Sequence, residues 1–316
     1  MGLMDGHKAF SKEQGENSVI TIENAHVRFY ARKSFLRRVA VHALSGLSLA
    51  IASAETVAVV GESGSGKTTL GRVSLRVIDM ESGLIRFRGE DITHASGQRL
   101  KGFRRLAQAI FQDPYSSINP YMTIGQNVEE PLLIHSRGEK PERLERVERA
   151  LDEVKLSPSS KFLTQHPHTL SGGQRQRVGI ARALVMDPAY IVADEPVSMV
   201  DASSKAELLY LLRETYKKYG IASLYITHDI ASAKHIADRI AVMYLGRIIE
   251  VGPPSEIIEN PLHPYTQGLI ESVPEPDPTN RKRFRRVIPG ESPNPTNIPS
   301  GCPFHPRCAQ FINGLC

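Results

Sequence analysis

The nine residues Gly61-Glu-Ser-Gly-Ser-Gly-Lys-Thr-Thr69 constrain this chain more than any other stretch. Gly61, Gly66, Lys67 and Thr68 stand at the spacing G-x-x-x-x-G-K-[ST]. Gly61, Gly64 and Gly66 let the backbone turn tightly and approach a polyphosphate where a side chain would clash. Successive N–H groups then form an anion nest at a helix start, and the helix dipole adds to the attraction. Lys67 supplies a point charge for the outer phosphates, and the Thr68 hydroxyl is placed to ligate Mg²⁺. The β-branched run from Thr56 to Val60 predicts a strand entering the loop, and Leu70 to Ile78 predicts a helix leaving it. That context separates the motif from a Gly/Ser surface turn that happens to contain Lys-Thr.

With 316 residues, one large or two modest domains are expected. No apolar run reaches the roughly 18 residues of a membrane span, and the polar first residues lack the apolar core of a secretory signal. A cytosolic chain is expected. The net charge is only +5, and much of it lies in Arg281 to Arg286, RKRFRR. Such a run suits nucleic acid, anionic lipid or an acidic partner, or is simply a solvated segment.

Residues 19–31 alternate apolar and polar as an edge strand does. A basic loop, Arg32 to Arg38, leads to a strand, a turn and the strand feeding Gly61. Leu84 to Gly89 and Asp91 to Thr93 form another strand-and-turn pair. The fold class expected is α/β, with a small antiparallel sheet near the N-terminus and a parallel, helix-covered one. From about Ile124 the sequence turns rich in Glu, Arg and Leu, with apolar residues three and four apart, which predicts a helical insertion at about 124–185. Strand–helix units resume at Tyr190, with a helix over Ala206 to Tyr219. From Pro253 prolines multiply, predicting a largely extended tail.

Further motifs carry chemistry. Gln112 precedes Asp113-Pro114, by itself a weak turn signal. Leu170-Ser-Gly-Gly-Gln-Arg-Gln-Arg177 offers a second helix N-terminus to an anion, or is an N-cap turn before an Arg-rich helix. Asp194 and Glu195 end an apolar strand, the position where open α/β sheets bind ligands. Asp194 suits Mg²⁺, and Glu195 suits a general base on an attacking water. His228 ends the next predicted strand and suits a γ-phosphate contact; alone it would more often be structural.

In this order the set resembles the nucleotide-binding subunit of an ATP-binding-cassette (ABC) transporter, over residues from about 18 to 255. His263 to Pro274 and Gly301 to Cys308 are similar to the C-terminal region of oligopeptide and dipeptide importers, and the wording of 171–184 resembles the second, F-type, of their two non-identical ATPase subunits. The resemblance implies a P-loop NTPase core at 18–255 and an importer-type tail at 256–316. It also implies an ATP site of Tyr30 on adenine, Gly61, Ser63, Gly64, Gly66, Lys67, Thr68 and Thr69, with Thr68, Gln112 and Asp194 around Mg²⁺. Gln112, Glu195 and His228 are the implied catalytic residues. Ser171, Gly172, Gly173 and Gln174 would complete the site of an opposing subunit, with Asp201 linking the two sites. Ser198-Met-Val-Asp201 departs from the usual Ser-Ala-Leu-Asp but keeps the Asp. The implied partners are a second, non-identical ATPase subunit, two transmembrane permease subunits and an extracytoplasmic solute-binding protein, with this chain peripheral on the cytoplasmic membrane face. Relatives import peptides, nickel or oligosaccharides. The rival class is a soluble cassette ATPase acting on nucleic acid or protein assemblies; RKRFRR alone favours it, and no nucleic acid is expected.

All three cysteines, Cys302, Cys308 and Cys316, lie at the end of the chain. That clustering argues against a disulfide framework and for a local site. A [4Fe-4S] cluster is the leading expectation, ahead of zinc and free thiols, although a Cys₄ site needs a fourth ligand.

Overall fold

The computed structural model describes residues 18–34, 37–273, 288–291, 293–314 and 316. The basic run Arg281–Arg286 lies outside them. Strands follow the order β1 (Ser18–Ser34), β2 (Arg37–Ala52), β3 (Thr56–Val60), β4 (Ser82–Phe87), β5 (Glu90–Asp91), β6 (Ala107–Ile110), β7 (Tyr190–Asp194), β8 (Ala222–Ile226), β9 (Arg239–Tyr244) and β10 (Arg247–Gly252). The chain divides into two compact units. One comprises the described residues of Met1–Ala50, Val57–Thr93 and Ile226–Cys316; the other comprises Ile51–Thr56 and His94–Tyr225.

The first unit holds an antiparallel sheet of order β2-β1-β4-β5. Ile20 pairs with Phe87 and Ile22 with Ile85, and all four are buried. The alternation in β1 is therefore real, but β1 is an interior strand, not an edge. Alternation reports that one face is buried and says nothing of how many neighbours the backbone pairs with. In the same unit β9 runs parallel to β3, with Ala58 opposite Ile240, and antiparallel to β10. Every residue of β3 is buried, so its apolar run shows no alternation, as a strand covered on both faces requires. The helix after the loop is Lys67–Ser74; it starts three residues before the predicted Leu70, because Gly66 and not an apolar residue marks its beginning.

Prolines in the tail start helices as well as breaking them. Pro254 and Pro264 occupy the first turns of Pro254–Glu259 and Pro264–Glu271, where a missing N–H costs nothing. The predicted extended tail thus contains two short helices.

In the second unit β7 runs parallel to β6, in the order β8-β7-β6. Its helices include Ile124–Ile134, Lys140–Glu153, Ser159–Leu163, Gly172–Leu184 and Ala202–Tyr219. Ile124–Ile134 opens on a capping box between Thr123 and Gln126 and buries Ile124, Val128 and Leu132 on one face, which packs on Gly172–Leu184.

Candidate functional site

The phosphate loop is forced into shape by its glycines. A Cβ at Gly61 would lie 2.2 Å from the Met243 carbonyl oxygen, and one at Gly66, where φ is 101°, would lie 2.3 Å from that of Ala43. Lys67 is buried, and its Nζ donates to the carbonyls of Gly61 at 2.7 Å and Glu62 at 2.9 Å. The ammonium thus braces the loop from inside. No side chain caps the helix Lys67–Ser74, a start that suits an anion. Ser63, Gly64 and Thr68 are exposed; Thr69 is half-buried. The loop therefore fits a nucleotide polyphosphate, and the Thr68 hydroxyl is available to a Mg²⁺ that such a ligand brings.

The same unit holds His228 and Tyr30. His228 is exposed, just before a helix, Ile230–Ile236, that the Asp229 carboxylate caps by accepting from Ala231 N–H at 2.9 Å. Tyr30 on β1 is 65% exposed, which leaves its ring face available for stacking.

In the second unit, Gln112 Nε2 donates to Glu195 Oε2 at 3.0 Å. Two residues 83 positions apart are joined because β6 and β7 run parallel and deliver both to one end. Glu195 has φ 48°, a left-handed conformation that strains a residue with a Cβ. Ser198 stabilises it by donating to the Glu195 carbonyl from N–H at 3.1 Å and from Oγ at 3.0 Å. Nothing in the sequence marked Ser198 for that task. Asp194, half-buried at the end of β7, precedes it.

The signature segment closes on itself as a capping box. Ser171 N–H donates to Gln174 Oε1 at 3.0 Å, and Gln174 N–H donates to Ser171 Oγ at 3.3 Å. Both residues thus also serve as the N-cap that the simpler reading requires. The glycines are another matter. A Cβ at Gly172 would meet nothing nearer than 3.8 Å, and the same holds at Gly173. Neither has positive φ. The fold of this chain has no need of glycine at either place. Asp201 caps the helix Ala202–Tyr219, accepting from Ser204 N–H at 2.9 Å. Met199, the departure noted above, is 54% exposed.

The cysteine expectation finds no support in the geometry of the described residues. Among the described residues no three His, Cys, Asp or Glu side chains come together as metal ligands. Cys302, Cys308 and Cys316 therefore do not fit a [4Fe-4S] or zinc site, which needs its sulfurs around one centre. Cys302 and Cys316 are tied instead through backbone, Cys302 N–H donating to the Cys316 carbonyl at 3.2 Å.

Glu62, inside the phosphate loop, is a further residue of the site. Its N–H donates to the Tyr265 hydroxyl at 2.8 Å, and its carboxylate accepts from both arms of Arg307 at 2.9 and 3.2 Å. Partners 203 and 245 positions away leave no local signal.

The ABC transporter family model matches residues 44–198, and that of the oligopeptide/dipeptide transporter C-terminal region matches 249–316. The oligopeptide transport ATP-binding protein AppF of Bacillus subtilis is 45% identical over 277 residues, covering 87% of this chain and 84% of AppF. Among solved structures, the dimeric post-hydrolysis ATP-binding cassette MJ0796, bound to ADP and Pi, is 28% identical with a TM-score of 0.66, covering 74% of this chain and 98% of that one. CbiO1 of Clostridium perfringens, part of the transporter complex CbiONQ, is 28% identical with a TM-score of 0.68, covering 78% of this chain and 92% of its own. Among the described residues no helix is long and apolar enough to cross a membrane.

Proposed function

The chain belongs to the ABC transporter family and carries its oligopeptide/dipeptide transporter C-terminal region, and we propose that it is the ATP-hydrolysing subunit of a peptide importer. It is an ATPase coupled to transport, with the fold of the ABC cassettes. AppF is named for oligopeptide transport, which favours peptides over oligosaccharides or nickel as the cargo.

The roles assigned to its residues follow their chemistry. Lys67 holds the outer phosphates of ATP, Tyr30 stacks on the base, and Thr68, Gln112 and Asp194 serve the Mg²⁺, which neutralises phosphate charge when bound. Glu195 accepts the proton of the attacking water, and Gln112 orients it. His228 contacts the γ-phosphate. Ser171 to Gln174 serve the nucleotide of an opposing ATPase subunit, and Asp201 links the two sites.

One observation carries the paired-subunit reading: Gly172 and Gly173 have room for a side chain that they lack. Alanine is the better helix former, so glycines with room for a Cβ at the first two helical positions fit a demand from outside the chain. A nucleotide approaching the helix start supplies one, since a Cβ there would stand in its path. The proposed assembly joins this subunit to a non-identical ATPase, two permease subunits and an extracytoplasmic binding protein, on the cytoplasmic membrane face.

The test is reconstitution with partner permease and ATPase subunits. Peptides, presented with the binding protein, are expected to stimulate ATP hydrolysis; stimulation by oligosaccharides alone would overturn the peptide assignment.

A further inference from the structure

The phosphate loop contains a residue that works against its own ligand. Glu62 places a carboxylate inside a loop built to receive a polyphosphate, and like charges repel. The C-terminal tail answers that charge. Arg307 meets the Glu62 carboxylate with two N–H donors, at 2.9 and 3.2 Å. Two further N–H groups of the guanidinium donate to the carbonyls of Pro289 at 2.9 Å and Gly290 at 3.1 Å. The Arg307 side chain is only 8% exposed and that of Glu62 27%, so water screens the pair weakly.

The clasp is mounted rigidly. Tyr265, fully buried at the start of the helix Pro264–Glu271, accepts the Glu62 N–H. Its ring packs 4.7 Å from that of Tyr244 and 5.4 Å from that of Phe304, and Tyr244 and Phe304 meet edge to face at 5.4 Å. Phe304 stands three residues before Arg307, so the aromatic cluster fixes the position from which the guanidinium reaches the loop. Glu62 is tied to the loop as well, since its carbonyl accepts from Lys67 Nζ. One residue therefore connects the tail to the ammonium that serves the phosphates.

We propose that Arg307 is a positioning and charge-neutralising residue of the ATP site, through which the C-terminal tail sets the affinity of the phosphate loop for nucleotide. This rests on the assignment of Gly61–Thr69 as the ATP-binding loop. The tail is then part of the nucleotide site as well as an appendage to the cassette, and a partner that lifts it would weaken ATP binding from a distance.

The experiment measures MgATP affinity of the full chain, by displacement of a fluorescent nucleotide, at low and high salt. Arg307→Ala leaves the Glu62 charge unopposed and is expected to weaken binding about tenfold at low salt, and less at high salt. Glu62→Gln leaves Arg307 unopposed and is expected to tighten binding several-fold. The double variant is expected to return close to wild type, which lost packing alone would not do. If Arg307→Ala fails to fold, Glu62→Gln decides by itself: tighter binding supports the proposal, and unchanged binding overturns it. Affinity that is insensitive to both charges, or a double variant as weak as Arg307→Ala, also overturns it. A wild-type chain that binds no ATP overturns the loop assignment together with this proposal, whereas normal wild-type binding with unaltered variants overturns this proposal alone.

Discussion

Gln112 Nε2 stands 3.0 Å from Glu195 Oε2 and donates a hydrogen bond to it. The carboxylate assigned as general base is thereby held by a residue whose neighbours face solvent. Phe111 and Tyr115 are both more than half exposed, and Tyr121 is 91% exposed.

Glu195→Gln removes the proton acceptor but keeps an oxygen for the Gln112 donor. ATP binding is expected to persist while turnover falls by about 100-fold or more, the range for a general base. Nucleotide retention and phosphate release, measured on the same sample, check this. Turnover at the wild-type rate would exclude Glu195 as the base.

Gly172→Ala and Gly173→Ala are expected to act in opposite directions on the subunit and on the assembly. Each has space for the added methyl at the first two positions of the helix, and alanine is the better helix former. The melting temperature of the isolated chain should hold or rise. ATPase activity of the reconstituted transporter should fall sharply. Normal activity in the alanine variants would remove the opposing-subunit role.

Tyr30→Ala truncates an exposed ring and should leave stability within about 0.5 kcal/mol. Loss of base stacking, about 1–3 kcal/mol, should raise the KM for ATP by roughly five- to a hundredfold. Tyr30→Phe should restore it, because the ring and not the hydroxyl is used. An unchanged KM in Tyr30→Ala would transfer the stacking role elsewhere.

His263 links pH to the tail. Burial lowers its pKa below the ordinary imidazole value, with Glu250 opposing the shift. Its Nδ1 accepts from Tyr265 N–H at 3.0 Å, which the doubly protonated ring cannot do. The unfolded chain therefore binds more protons than the folded one between the two pKa values. The contribution to stability is full above about pH 6.5 and is lost as pH falls through the folded value. His263→Asn, which keeps a cap acceptor and does not titrate there, should flatten this part of the pH–stability curve in thermal melts. A curve of wild-type shape in that variant would place the acid sensitivity elsewhere.

Much of the site was legible because its chemistry is local. Gly61 to Thr69 is one turn of backbone plus the start of a helix, and the glycines it needs are neighbours in sequence. The N-cap reading of Ser171 and the strand-end position of Asp194 follow from the same short-range rules. What escaped was everything set by long-range pairing. β1 carries the alternation of a half-buried strand, yet whether it is an edge depends on β2 and β4 meeting it from either side. The spacing of Cys302, Cys308 and Cys316 suggested a cluster, but closeness in sequence does not converge side chains on one point.

The sequence alone pointed to a polyphosphate ligand, since a glycine-punctuated loop before a helix presents consecutive N–H groups to an anion. Only the tertiary structure decided what surrounds that loop. Glu62 is an unremarked position in the motif until Arg307 and Tyr265 reach it across more than two hundred residues. A residue's charge is written in the sequence, but what opposes that charge depends on distance in space, which folding alone sets.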